Sequence, residues 1–171
     1  MNTSSRLLIA ATVCLALGAC TKKVKEAPVS NAPDQTQGAT TAPIAGDGKF
    51  RPEDLDTNSC LRQRVVYFDF DQDTLRPEFQ ATIACHAKYL RDRPEARMTL
   101  EGNADERGTR EYNLGLGERR GNAVSTAVLG SGGTASQVSV VSYGEERPTC
   151  ADSTEDCWGR NRRVEIVYSS R

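Results

Sequence analysis

Tyr112, Leu116, Arg120, Val124 and Val128 recur at four-residue intervals, a row that lies along one face of a helix. Arg120 therefore points where leucine and valine point. A guanidinium does not shed its charge, so once buried it must be paired. Just upstream, the run Glu101-Gly102-Asn103-Ala104-Asp105-Glu106-Arg107-Gly108 sets one acid, Asp105, in a glycine-bounded turn. Asp105 is the nearest candidate partner for Arg120. Two readings stand side by side. The pair is an internal brace, which often adds little net stability because desolvation offsets the attraction, or it is a recess for a ligand with both an ammonium and a carboxylate.

Around this row the chain alternates strands and helices. Arg64 to Phe70 is rich in Val, Tyr and Phe and reads as a strand. Pro77 suits the first turn of a helix, with Phe79, Ile83, His86 and Leu90 on one face and Pro94 as its stop. Met98 and Leu100 alternate with Thr99 and Glu101 in a second strand ending at Gly102. Thr109 is the N-cap of a helix from Arg110 to Leu129. Val138 to Tyr143 and Arg163 to Tyr168 read as strands three and four, with a short helix or helical turn between Asp152 and Arg162. The pattern predicts an α/β (α+β) sandwich: a mixed sheet of about four strands with helices packed on it. Gly115, Gly117 and Gly121 lie inside the long helix, each costing about 1 kcal/mol relative to alanine. Close packing on the sheet and room for a ligand beside Arg120 explain them equally well.

The domain at 51–171 has an unusual approach. Residues 1–19 read as a targeting segment, with Arg6 and then an apolar stretch from Leu7 to Leu17. That stretch is about half the ~20 residues a membrane-spanning helix needs. Leu17-Gly18-Ala19-Cys20 resembles a bacterial lipobox, in which Cys20 is lipidated and becomes the new N-terminus. Thr21 stands where Asp would mark inner-membrane retention, which favours an outer-membrane anchor, and several acyl chains on one residue anchor stably. From 20 to 50 the chain is a tether of Pro, Gly, Ser, Thr, Gln and Ala that cannot bury enough surface to fold. As a flexible coil of roughly 30 residues it spans about 30 Å.

Six cysteines, less Cys14 and Cys20, leave Cys60, Cys85, Cys150 and Cys157. Four cysteines allow three pairings. Positions favour 60–85 with 150–157, in an oxidising periplasm. The spacings contain no C-x₂-C knuckle, which argues against zinc. Asp69-Phe70-Asp71-Gln72-Asp73 opens like a calcium loop but has Thr74 at the sixth position and Gln80 at the twelfth, so calcium is not expected. A formal net charge of −1 argues against a nucleic-acid partner. The single histidine, His86, sits on an apolar face, and no free cysteine nucleophile remains. No catalytic residue, cofactor or metal is expected, and the chain reads as a binder rather than an enzyme.

The Glu101–Arg120 run, Tyr67-Phe68-Asp69-Phe70-Asp71 and Asn161-Arg162-Arg163-Val164-Glu165 together resemble the OmpA-like peptidoglycan-binding domain. The Cys20 motif, the tether and Val141-Ser142-Tyr143-Gly144-Glu145 narrow the resemblance to the lipid-anchored members of that family. It implies a mixed α/β sandwich that binds the peptidoglycan stem peptide non-covalently through meso-diaminopimelate, whose side chain ends in an ammonium and a carboxylate. It further implies that Asp105 engages this head group, that Arg120 forks onto the carboxylate, and that Asp71 is a rim contact at the end of the first strand. Asn113 is implied as a polar contact and Arg162 as another. TolB and other Tol proteins are the implied protein partners, with roles in envelope integrity and in outer-membrane constriction at cell division. Asn103 departs from the family, where histidine often stands, and Gly121 replaces the usual alanine.

Overall fold

The computed structural model describes residues 48–170, so the Cys20 motif, the apolar stretch before it and most of the tether lie outside the described residues. Within them, a short helix α1 (Asp54–Thr57) precedes β1 (Val65–Tyr67), α2 (Gln80–Asp92), β2 (Arg97–Asn103), α3 (Arg110–Gly130), β3 (Val138–Gly144), α4 (Glu155–Asn161) and β4 (Arg163–Ser170). The four strands form one mixed sheet in the order β1-β4-β2-β3. β4 runs antiparallel to both β1 and β2, while β2 and β3 are parallel.

Alternation along β2 buries Met98 and Leu100 and leaves Thr99 and Glu101 half-covered, the pattern of a sheet with one face against a core. The core joins them to Val164 and Ile166 of β4, Ile83, Ala87 and Leu90 of α2, and Val124 and Val128 of α3. Phe50 is also buried, its N–H donating to Asp92 Oδ2 at 2.9 Å. Phe50, one residue before the expected boundary at Arg51, is thus part of the core. Helix α1 gave no sequence signal beyond the buried Leu55.

Thr109 caps α3 as expected, its side chain accepting from the Tyr112 N–H. Two glycines of α3 are explained by the sheet beneath. A Cβ on Gly117 would lie 2.4 Å from Ser142 Oγ and 2.9 Å from the Gly102 carbonyl oxygen, and one on Gly121 would lie 2.5 Å from Val140 Cγ1. Close packing is therefore the reason for both, not room for a ligand. At Gly115 a Cβ would meet only Arg119 Nη1, at 3.4 Å.

Both disulfides form as the cysteine positions suggested: Cys60–Cys85 ties the segment before β1 to α2, and Cys150–Cys157 ties the loop after β3 to α4, with Cα–Cα separations of 6.3 and 5.4 Å. His86 is fully buried between two partners. Its Nε2 lies 3.0 Å from the Gln63 carbonyl, which can only accept, so Nδ1 accepts from the Tyr168 hydroxyl at 2.9 Å. Burial depresses its pKa to about 4, fitting a neutral structural ring.

The expected strand to Phe70 stops at Tyr67. Beyond it the chain turns, with Asp71 in the left-handed region at φ 56°. Asp71 is thus not a strand residue but lies in a turn, and two carbonyls of that turn are drawn inward by Arg120. The helix expected at Pro77 starts as a 3₁₀ turn, Pro77–Phe79, before α2 begins at Gln80.

Candidate functional site

A cavity of about 260 Å³ opens where the turn after β1, the turn after β2 and the first half of α3 meet. Phe70, Asp71 and Tyr112 stand at its rim, Asp105, Arg107 and Asn113 in its walls, and Leu116 and Arg120 at its floor. The row on α3 accounts for this: Tyr112 is exposed where the row leaves the sheet, Leu116 and Arg120 lie beneath the cavity, and Val124 and Val128 enter the core.

Arg120 is 0% exposed, yet its partners are not carboxylates. Its Nε donates to the Gln72 carbonyl at 2.8 Å, Nη1 to Asn103 at 2.9 Å and Nη2 to Asp69 at 3.1 Å. Its Cζ lies 5.4 Å from the centre of the Phe68 ring. The expected ion pair with Asp105 is absent among the described residues. The turn at 69–72 wraps the guanidinium with main-chain oxygens instead, and burial pulls its pKa down to about 10 although the field of Asp105 opposes this. The floor of the cavity is a desolvated cation held by neutral dipoles.

Asp105 belongs to other arginines. Its Oδ1 accepts from the main-chain N–H and Nε of Arg107, both at 3.1 Å, and its Oδ2 accepts from Arg107 Nη2 at 2.7 Å and Arg162 Nη1 at 3.1 Å. Burial opposes ionisation of Asp105, but the bonds from Arg107 and Arg162 outweigh it and hold the carboxyl below the usual carboxylate range. Arg162 also donates to Glu155 Oε1 at 2.7 Å and to the Phe68 carbonyl at 3.1 Å. Asn113 donates to the Asp105 carbonyl at 3.1 Å and to Glu145. Asp71 remains the exposed acid, accepting from the Tyr112 hydroxyl.

Asp71, Asp105, Asn113 and Arg120 all border the one cavity. Arg162 does not border it but holds Asp105 from behind. Sequence reasoning missed Arg107, Phe70 and Trp158. Arg107 Cζ lies 4.0 Å from the centre of the Phe70 ring and 4.1 Å from that of Trp158. The spacing Glu155, Trp158, Arg162 is i, i+3, i+7, one helix face, and was the signal available for α4. Asn103 is buried with its Nδ2 donating to Glu101 at 2.9 Å, and its carbonyl serves Arg120. Among the described residues no group of three His, Cys, Asp or Glu side chains converges as a metal site, and no helix is long and apolar enough to cross a membrane.

A model of the OmpA family matches residues 67–162, the span from the end of β1 to the arginine behind Asp105. The peptidoglycan-associated lipoprotein of Pseudomonas putida is 42% identical over 135 residues, covering 78% of this chain and 76% of its own. That of Haemophilus influenzae is 35% identical over 168 residues, covering 98% and 100%. The crystal structure of the peptidoglycan-associated lipoprotein from Burkholderia pseudomallei superposes with a TM-score of 0.66 at 42% identity, covering 68% of this chain and 98% of that one. The C-terminal domain of Helicobacter pylori MotB shares the fold at 21% identity and a TM-score of 0.57.

Proposed function

Since the chain belongs to the OmpA family, among its peptidoglycan-associated lipoproteins, we propose that its domain binds peptidoglycan through the meso-diaminopimelate of the stem peptide. The observation that carries this reading is the desolvated guanidinium of Arg120 at the cavity floor, held by carbonyls alone. A ligand carboxylate settling there sets an anion beside a cation that now has only neutral acceptors, and charge-assisted bonds are roughly twice as strong as neutral ones. Arg107 in the wall adds a second positive group. The ammonium of the same side chain is drawn to the acidic side, where Asp71 is exposed at the rim and Asp105 lies deeper with its oxygens already engaged. Asn113 keeps the Asp105 turn in place. The role is a binder's, not an enzyme's.

The same reading makes this an envelope lipoprotein, lipidated at Cys20 and anchored in the outer membrane, with a tether that lets the domain reach the wall. Docking with TolB and other Tol proteins, and a part in envelope integrity and constriction at division, follow from the family resemblance. One surface serving both wall and TolB would make the two exclude each other. Simultaneous full-affinity binding of both by the purified protein would rule that out.

The test is calorimetric titration with a stem peptide containing meso-diaminopimelate and with its lysine counterpart, which lacks the second carboxylate. Preferential binding of the first is expected. Equal binding of the two, or binding of neither, removes the ligand assignment.

A further inference from the structure

The wall of the cavity is set from behind by one short helix. α4 turns Glu155 and Trp158 toward the Asp105 turn, and Arg162 follows at its end; there Arg162 takes Asp105 and Glu155 lies 3.5 Å from Arg107 Nη1. Trp158 does not border the cavity, but its ring closes one side of a slot whose other side is Phe70, with the Arg107 guanidinium between them. The indole N–H donates to Glu106 Oε1 at 3.0 Å, which fixes the edge of the ring. Arginine has a long, freely rotating stem, and a cation held between two aromatic faces loses that freedom before any ligand arrives.

The helix is itself immobilised on both sides of Trp158. Thr154 caps it, and Cys157, next to Trp158, is bonded to Cys150. Asn161 Oδ1 accepts the main-chain N–H groups of Thr149 and Cys150 at 2.9 and 3.2 Å, and its Nδ2 returns a bond to the Cys150 carbonyl at 2.8 Å. The loop after β3 and the helix therefore move as one piece.

We propose that Trp158, in a helix clamped by the Cys150–Cys157 disulfide, is a positioning residue that holds Arg107 at the cavity wall for the ligand carboxylate. It acts through Arg107 and touches no ligand. Removing the ring leaves Arg107 its fork onto Asp105 but frees its plane to swing, so both the affinity and the preference for a carboxylate-bearing side chain fall. This inference rests on the reading of the cavity as a zwitterion site.

Trp158 is the chain's only tryptophan, which makes the test direct. The full chain is titrated with the meso-diaminopimelate and lysine stem peptides while Trp158 emission is followed, alongside calorimetry of the variants. The wild type is expected to show a saturable emission change, because a carboxylate reaching Arg107 alters the charge stacked on the indole ring. Trp158→Leu is expected to lose about tenfold in affinity for the diaminopimelate peptide, with the preference over the lysine peptide shrinking by a similar factor. Trp158→Phe, which keeps a ring, is expected to stay within about threefold of the wild type. The double change Cys150→Ser with Cys157→Ser is expected to lose about fivefold, and Cys60→Ser with Cys85→Ser to bind as the wild type does. A merely structural tryptophan would lower the unfolding midpoint while leaving the preference intact in the folded protein. A folded Trp158→Leu with unchanged affinity and preference overturns the inference. Should that variant fail to fold, a wild type that saturates by calorimetry with no change in emission overturns it instead. A wild type that binds neither peptide indicts the functional reading, a different result from any of these.

Discussion

The guanidinium of Arg120 donates to the main-chain carbonyl of Asn103 at 2.9 Å, so the charge on α3 is tied to the bulge where β2 ends. Arg120→Ala would strip three carbonyls of their donor, the buried one of Asn103 and the partly buried ones of Gln72 and Asp69. Leaving such groups unsatisfied costs about 1–3 kcal/mol, and the cavity would lose its cation. The expected outcome is a folded but less stable domain that isolated sacculi no longer retain. Arg120→Lys restores the charge without the planar fork and should recover stability less than fully and binding by no more than a small part. Denaturant unfolding and sacculus pull-down separate the two effects. Retention of folded Arg120→Ala on sacculi would place the site elsewhere.

Arg162→Ala takes one of two guanidinium partners from a buried carboxylate. Removing a partner from a buried ion pair typically costs about 3–5 kcal/mol, and Arg107 still holds Asp105, so a loss of about 3 kcal/mol or less is expected. The carboxyl of Asp105 lies below its ordinary range in the folded chain. Its contribution is therefore complete above the unfolded carboxylate value and fades as pH falls through the lower folded one. Arg162→Ala should shrink that acid-side loss, measured as unfolding free energy between about pH 5 and pH 2. An unchanged profile would show that Arg107 alone sets Asp105.

Two glycines one helical turn or less apart should behave in opposite ways. Gly117→Ala forces a Cβ to 2.4 Å from Ser142 Oγ and 2.9 Å from the Gly102 carbonyl, and overpacking of this kind costs about 1–3 kcal/mol. Gly115→Ala meets only the flexible end of Arg119 and gains helix propensity of up to about 1 kcal/mol. Thermal unfolding of the pair decides this. Equal destabilisation would mean that α3 does not lie so close to β2 and β3.

His86 gives the pH dependence near neutrality. Its folded pKa is about 4 against an ordinary 6.5, so between these values the unfolded chain binds a proton that the folded one refuses. Stability is complete above about pH 6.5 and falls as the pH drops toward 4, by about 3 kcal/mol in all. Carboxylates such as Asp105 act mainly below this window. His86→Gln should flatten the slope between pH 6.5 and 4 in denaturant titrations. A slope that persists in the variant would assign it to other groups.

Local chemistry made much of this molecule readable in advance. Thr109 announces a helix because an oxygen must meet its first N–H groups, and Met98 and Leu100 announce a strand because alternate side chains share a face. The disulfides followed from where four cysteines sat relative to those elements. Partner choice was harder to read. Asp105 and Arg120 are close in sequence and both reach the cavity, but the acid is met first by Arg107 two residues on and by Arg162 fifty-seven residues on. The carbonyls that hold Arg120 come from a turn 48 and 51 residues away. The slot around Arg107 joins Phe70 and Trp158 from two further segments. Nothing in residue type distinguishes an arginine that will find an acid from one that will find main-chain oxygens. Only the path of the turn after β1 does so.

β4 is the last element in chain order, yet it lies inside the sheet between β1 and β2. A chain that emerges amino end first thus carries β1 with no neighbour and β2 with a bare edge until its final strand arrives. Such pairings are non-local and slow to close, and bare edges invite the wrong partner. Closure of the sheet therefore waits for Arg163–Ser170. That strand directly follows Arg162, so the guanidinium that secures Asp105 is delivered in the same moment. The innermost pairing of the sheet and the second arginine on Asp105 are thus supplied by one and the same stretch of chain.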